Sequence, residues 1–267
     1  MLSRALCGVF LAVMILGTAG CPAVVCGGMR MNTIAGSGTP AREERPIGSF
    51  SGIDLAGEGT LTVTLGERER LVIEADDNLL PYLEAEQHGT TLRLQTRRGV
   101  NLHPKSQIHY ELTARSLDAV LLSGCGAIEL PDLQGPRLGV AISGSGDLTT
   151  GELRVAGVRL DISGCGDAQL GAVRADRVET TISGSGKVHI RNGEVAQQTV
   201  AISGSGDYQA PALVSGEARV DVSGSGAATV QARDRLRTRI SGSGSVRYGG
   251  TPTVEQTISG SGQVERL

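Results

Sequence analysis

Apolar and polar residues alternate along much of the chain. Val158, Leu160 and Ile162 alternate with Arg159 and Asp161, and Val178, Thr180 and Ile182 with Glu179 and Thr181. Leu138, Val140 and Ile142 follow the same rule, as do Leu236, Thr238 and Ile240. A period of two marks strands with one buried face. No stretch shows a convincing helical period. The amino half repeats the pattern less regularly: Leu61, Val63 and Leu65 alternate with threonines, and Leu71–Ile73, Leu92–Leu94 and Ile108–Leu112 read as further strands. Asp77 to Glu84 reads as a helical turn or loop.

Each regular strand runs into the same short motif. The segments Leu122–Gly126, Ile142–Gly146, Ile162–Gly166, Ile182–Gly186, Ile202–Gly206, Val222–Gly226, Ile240–Gly244 and Ile258–Gly262 all have the form apolar-Ser-Gly-x-Gly. Their first serines are spaced 20, 20, 20, 20, 20, 18 and 18 residues apart. Apolar residues resume two places after each motif, from Ile128 and Leu148 to Val246 and Val264. A period this short is a repeat architecture. Leu-x-x-Leu-x-Leu is missing, and a propeller blade needs about 40 residues or more. The reading is all-β: a parallel β-helix, or solenoid, with coils of 18 to 20 residues. Coils stacked at ~4.8 Å make a rod of roughly 40 Å. Ile, Val and Leu pile inward into ladders, and the glycines occupy sharp corners where a Cβ is strained or crowded. The serine rows are expected to form hydroxyl ladders that satisfy corner backbone groups. Ile53 to Gly59 reads as a degenerate corner of the same kind.

Composition narrows the partners. Of 267 residues, 39 are glycine, and only four Tyr and two Phe supply rings, with no Trp. The net charge is −3. Neither a basic field nor stacking platforms are present, which argues against a nucleic-acid partner.

The first residues read as an address. Arg4 precedes the apolar run Ala5–Leu16 and the small residues Gly17 to Gly20, so 1–20 is expected to be a signal peptide. The run is too short to span a membrane. The small residues before Cys21 resemble a bacterial lipobox, with Thr18 departing from the usual Leu. Cys21 is the expected lipidation site, and the expected location is the cell envelope, with the protein exported and anchored to a membrane by acyl chains. Residues 21–46 show no periodicity and read as a flexible tether, leaving 47–267 as the folded domain.

The motifs Phe50-Ser-Gly-Ile53, Asp76-Asp-Asn-Leu-Leu80 and Leu92-Arg-Leu94, with the serial Ile-Ser-Gly-Ser-Gly units, resemble the bacterial auto-transporter adhesin head GIN domain family. The resemblance covers about 47 to 267. It implies a secreted or surface-attached right-handed β-helix and supplies no catalytic residues.

Candidate chemistry is sparse. Asp147, Asp167, Lys187 and Asp207 each follow a second corner glycine and are expected to form one outward column. That column reads as solvated charge or, alternatively, as a weak calcium site. Cys125 and Cys165 replace serine two coils apart. About 9.6 Å of separation is too far for a disulfide, so two free thiols are expected. His103 and His109 lack partners at metal-ligand spacing. No nucleophile elbow or phosphate loop occurs, and no cofactor is expected. The expected function is non-catalytic: an adhesin-like surface for a glycan or an envelope protein. The alternatives are a purely structural envelope lipoprotein and a polysaccharide-active enzyme, whose acid/base groups would come from the Asp147–Asp207 column with Arg159 and Arg177. The last coil, from Ser259, lacks an obvious cap, which makes an end-to-end homodimer a further expectation.

Overall fold

A computed structural model describes residues 32–267. It is an all-β parallel solenoid whose coils are about 20 residues apart; the one short helix is a 3-10 turn at Leu80–Tyr82, inside the segment expected to be a turn. The coils stack in register. Ile142 lies beside Ile162, and the row continues through Ile182, Ile202, Val222, Ile240 and Ile258. Alternate residues of each strand point inward and are buried, so apolar surface is removed from water along the whole rod. The step from 20 to 18 residues is taken away from the serine corner. Gln209 pairs with Thr229, then Val214 with Gln231, and the corner residues remain aligned, Ser223 beside Ser241.

Tyr208, one of the few aromatic residues, is fully buried. Its row neighbours are Val188 and Ala228, and the small alanine makes room for the ring. Gln198 is also buried and donates from Nε2 to the Tyr208 hydroxyl at 2.6 Å. Burial gives this bond its weight, because no water competes for it; the Gln198 Oε1 has no partner of its own.

At the amino end, stacking order departs from chain order. The strand Gly52–Leu55 lies between Thr91–Thr96 and Ala119–Leu122, with Ile53 beside both Leu92 and Val120. The chain enters in the second coil, builds the terminal coil, then crosses back. Asp54 ties these out-of-order coils together: it accepts from Ser123 Oγ at 2.9 Å and faces Arg93 Nε at 3.5 Å. Antiparallel strands close the stack. Arg70–Asp76 runs between His109–Ala114 and Pro40–Arg45, and Leu83–His88 folds back on Thr91–Thr96. At the other end, Thr253–Gly260 and Gln263–Arg266 pair on one side only, with Ala227–Gly242 and Ser245–Gly249. Ile258 is 39% exposed there, against 1% for Ile240 in the coil below.

The tether expected over 21–46 requires correction over its described part. Asn32–Ala35 pairs in parallel with Val100–His103, and Pro40–Arg45 forms the outer antiparallel strand of the cap. Pro40-Ala-Arg-Glu-Glu-Arg45 reads as linker because it is a largely exposed edge strand without apolar alternation. Its charges are instead paired across the edge: Arg70 meets Glu44 at 2.9 Å, and Arg42 meets Glu74 at 3.4 Å. Charged edges of this kind discourage pairing with other chains. The expected signal peptide, Cys21 and the rest of the tether lie outside the described residues.

Candidate binding surface

The serine corner is shaped by two glycine rows with different physical roles. In the first row, Gly184, Gly204, Gly224, Gly242 and Gly260 have φ between 118° and 137°, a region that side chains with a Cβ rarely adopt. In the second row, Gly126 to Gly244 are buried and the obstacle is steric. A Cβ on Gly206 would lie 2.5 Å from Ile182 Cγ2 and 2.8 Å from the Gly186 carbonyl oxygen. The column of corner glycines includes Gly57 and Gly59, so Ile53–Gly59 is a corner of the same type.

The expectation that serine hydroxyls satisfy the corner backbone is not met. The backbone does this itself. Ser185 N–H donates to the Gly164 carbonyl at 3.0 Å, and Ser205, Ser225, Ser243 and Ser261 each donate to the carbonyl of the equivalent first glycine one coil away at 2.9 Å. Both serine rows face solvent. Apart from Ser123, whose Oγ donates to Asp54, the corner therefore presents two parallel lines of hydroxyls, spaced ~4.8 Å within each line, that are not used for the corner's own backbone hydrogen bonds. Cys125 and Cys165 interrupt the second line as exposed free thiols.

The predicted charge column exists in the register. Asp167 lies beside Lys187, and Lys187 beside Asp207. Asp147 occupies the equivalent place next to Ala127, one residue before the Leu148–Ala168 pair. The row ends in uncharged residues, Ala227, Ser245 and Gln263. One Asp167 carboxylate oxygen accepts from the Lys187 backbone N–H at 3.0 Å. No group of three or more His, Cys, Asp or Glu residues placed to hold a metal ion occurs among the described residues. Arg159 and Arg177 are not drawn to this column. They precede the corner in their coils, and carboxylates on their own face engage them: Asp161 lies 2.7 Å from Arg159, and Glu179 lies 3.2 Å from Arg177. The hydrogen bond that Arg159 donates to Asp161, with the carboxylate's charge, raises the Arg159 pKa above its ordinary value. The candidate acid/base set is thus divided between two sides of the corner.

A polar cluster that sequence reasoning did not single out lies in the cap. Asp76 is buried, and its carboxylate accepts from the backbone N–H groups of Gly38, Lys105 and Ser106 at 3.1, 2.8 and 3.3 Å. Burial alone would raise its pKa, but those donors outweigh it and hold the carboxyl below its ordinary value. Asn78 continues the latch, accepting from Ser37 N–H at 2.8 Å and donating to the Ala35 carbonyl at 2.9 Å. Gly36 leaves space for this, since a Cβ there would overlap Asp76 Oδ2. The only signal in the sequence is the Asp-Asp-Asn run itself.

Residues 49–188 and 151–252 match the family described as "Putative auto-transporter adhesin, head GIN domain". The chain belongs to this family. The two overlapping matches follow from the repeat, because coils of one pattern can be aligned in more than one register. Solved structures that share the fold include three covered almost from end to end. A protein described as a "putative adhesin", from Parabacteroides distasonis, has 24% identity and a TM-score of 0.83, with 88% of this chain and 100% of that one covered. A protein titled as lipid binding, from the same organism, has 23% identity and a TM-score of 0.81 at the same coverage. A second "putative adhesin", from Parabacteroides merdae, has 22% identity and a TM-score of 0.80, covering 88% and 99%. At these identities the likeness concerns the fold alone. Among curated proteins, none matches the chain.

Proposed function

We propose that this head GIN domain is a non-catalytic binding element of the cell envelope, and that its exposed serine rows meet a glycan or an envelope protein. One observation carries the reading: the corner backbone is satisfied by backbone, so the row hydroxyls beyond Ser123 are free for a partner. Single hydroxyl contacts are weak, and regular repetition along the rod lets them add. Membership of an adhesin-like family agrees with export. The anchor in this reading is acylated Cys21; no helix among the described residues is long and apolar enough to cross a membrane.

The test is a glycan array and an envelope-fraction pull-down with the full chain. Ser183, Ser203 and Ser223, all exposed, are exchanged together for glutamine in a parallel sample. Retention by wild type and its loss in the variant is the expected result. No retention, or retention indifferent to the exchange, overturns the reading, as does release of new reducing ends from a bound polysaccharide. Acyl labelling that persists in Cys21→Ser would remove the anchor.

Self-association is a second reading, favoured by the exposure of Ile258 on a coil paired on one side. The occupant is a second copy. Light scattering of residues 32–267 that shows only monomer at high concentration removes it.

A further inference from the structure

Two thiols stand on the ridge of the solenoid. The second serine row runs Glu58, Cys125, Ser145, Cys165 and Ser185, one residue per coil. Gly124 and Gly126 stack on Gly57 and Gly59, and Ser145, Cys165 and Ser185 each donate a backbone N–H to the first corner glycine one coil away. All five side chains are exposed, and both thiols are free. Two coil steps separate the thiols by about 9.6 Å, too far for a bond within one chain. Each cysteine lies between two glycines, and Ser145 alone stands between them on the row. Nothing here is bulkier than a hydroxymethyl group. Another chain can therefore bring its backbone as close as a disulfide requires, about 5.5–6 Å between Cα atoms.

The flanking charges select an orientation for that second chain. Glu58 ends the row, and Lys187 lies two residues beyond Ser185; both are exposed, and neither has an ion-pair partner among the described residues. Asp167 accepts only from the Lys187 backbone N–H. A two-fold axis at Ser145, perpendicular to the rod, lays the row of a second copy in reverse against the first. Ser145 then faces its own copy, and Cys125 faces Cys165 at two equivalent places. Glu58 faces Ser185 with Lys187 beside it, so the two unanswered charges meet. A parallel pair would instead set Glu58 against Glu58 and leave Lys187 unanswered. In the reversed pair Asp147 meets its own copy, but two residues off the ridge, where the surfaces diverge into solvent.

We propose that Cys125 and Cys165 are a redox modification site that joins two antiparallel copies of this chain through two identical disulfides. The inference goes beyond the binding role above and does not rest on it. The oxidant is a small disulfide of the glutathione class. A cysteine thiolate attacks it and releases one small thiol, and the facing thiolate of the other copy then displaces the second. For each bond formed, two protons and two electrons pass from the two cysteines to the oxidant. The joined copies cover the ridge from the cap as far as Ser205 and leave the later coils open, so redox state sets how much of the hydroxyl line is presented.

The experiment uses the full chain with Cys7, Cys21 and Cys26 exchanged for serine, which leaves these two thiols. The folded protein is incubated with oxidised glutathione, then followed on non-reducing gels and by mass spectrometry of linked peptides. A covalent dimer linked Cys125 to Cys165 is expected. Cys125→Ser or Cys165→Ser alone should cut its yield about tenfold or more, because the remaining thiol then faces serine. Mixing the two single variants should restore a dimer held by one bond. Both place serine where most coils already have it, and melting curves check the fold. Lys187→Glu should slow dimer formation severalfold, and adding Glu58→Lys should recover it. Single variants that dimerise as well as their parent overturn the proposal, as do Cys125–Cys125 links, a bond within one chain, or monomers carrying only glutathione. Glycan retention is read on the reduced chain, so a failure here leaves the binding role standing.

Discussion

From Leu133 onward each coil lies on the one made just before it, and its register is held mostly by backbone and glycine. Between Gly52 and Leu130 the neighbouring coils are distant in sequence, and buried or half-buried carboxylates hold them: Asp54 on Ser123, and Asp76 on three backbone N–H groups. The body can propagate coil on coil, each added unit contacting only its neighbours. The capped end must instead close long loops before its contacts form. The two regions therefore differ in what a substitution can break. The body is sensitive to added volume at its glycines, and the cap is sensitive to lost acceptors.

The largest expected effect lies in the body. Gly204 combines a φ of 123° with a Gly184 carbonyl oxygen 2.6 Å from any Cβ. Gly206 adds contact with Ile182. Strain and overpacking together put Gly204→Val at about 3 kcal/mol or more, and Gly206→Ala at about 1–3 kcal/mol. Denaturant unfolding of each variant measures this. Stability equal to wild type in both would mean that the corners are not stacked backbone on backbone.

This contrast also explains what the sequence made legible. The serial Ser-Gly motif disclosed the solenoid, the coil length and the aligned glycine column, because one local rule recurs in every coil. It could not disclose that residues 91–114 form the terminal coil and 119–130 the third, since that order depends on contacts between distant segments. The strand Pro40–Arg45 was hidden for another reason: it is a mostly exposed edge strand whose inner face offers only Ala41 as an apolar residue, which leaves no alternation to read. The serines were misassigned because composition does not tell whether a hydroxyl or a neighbouring carbonyl will take the corner N–H.

A second prediction asks whether the body tolerates polarity only as a matched pair. Tyr208→Phe leaves the Gln198 amide buried without its partner and should cost about 1–3 kcal/mol. Adding Gln198→Leu should recover part of that loss, because it removes the stranded amide, while the buried Thr180 hydroxyl stays without a partner. A double variant as unstable as the single one would assign the loss to packing alone.

Acid separates the cap from the body. The Asp76 carboxyl is held below its ordinary value near 3.8. A depressed folded pKa means that its stabilisation is complete above the unfolded-state value and disappears as pH falls through the folded one. Asp76→Asn should lower the melting temperature at pH 7 by about 3–6 °C. It should also flatten the part of the acid response below pH 4 that belongs to this group. Exchange of the Gly38 and Lys105 amides should rise together in the variant while amides of the serine corner stay protected. If both regions loosened equally, the cap would not be a separately held structure.

The smallest effect is the sharpest control. Gly157 lies in the same repetitive strands as the corner glycines, pairing with Arg177, yet a Cβ there meets nothing within 4 Å and its φ is not positive. If the glycine content of the body were needed for general flexibility, Gly157→Ala would be as harmful as Gly204→Ala. If glycine is needed only where a coil turns over its neighbour's carbonyl, Gly157→Ala should stay within about 0.5 kcal/mol of wild type, or gain slightly because the unfolded chain loses freedom. The same denaturation measurement decides, since a large loss at this open position cannot arise from a clash and would transfer the role of the glycines from corner geometry to the strands themselves.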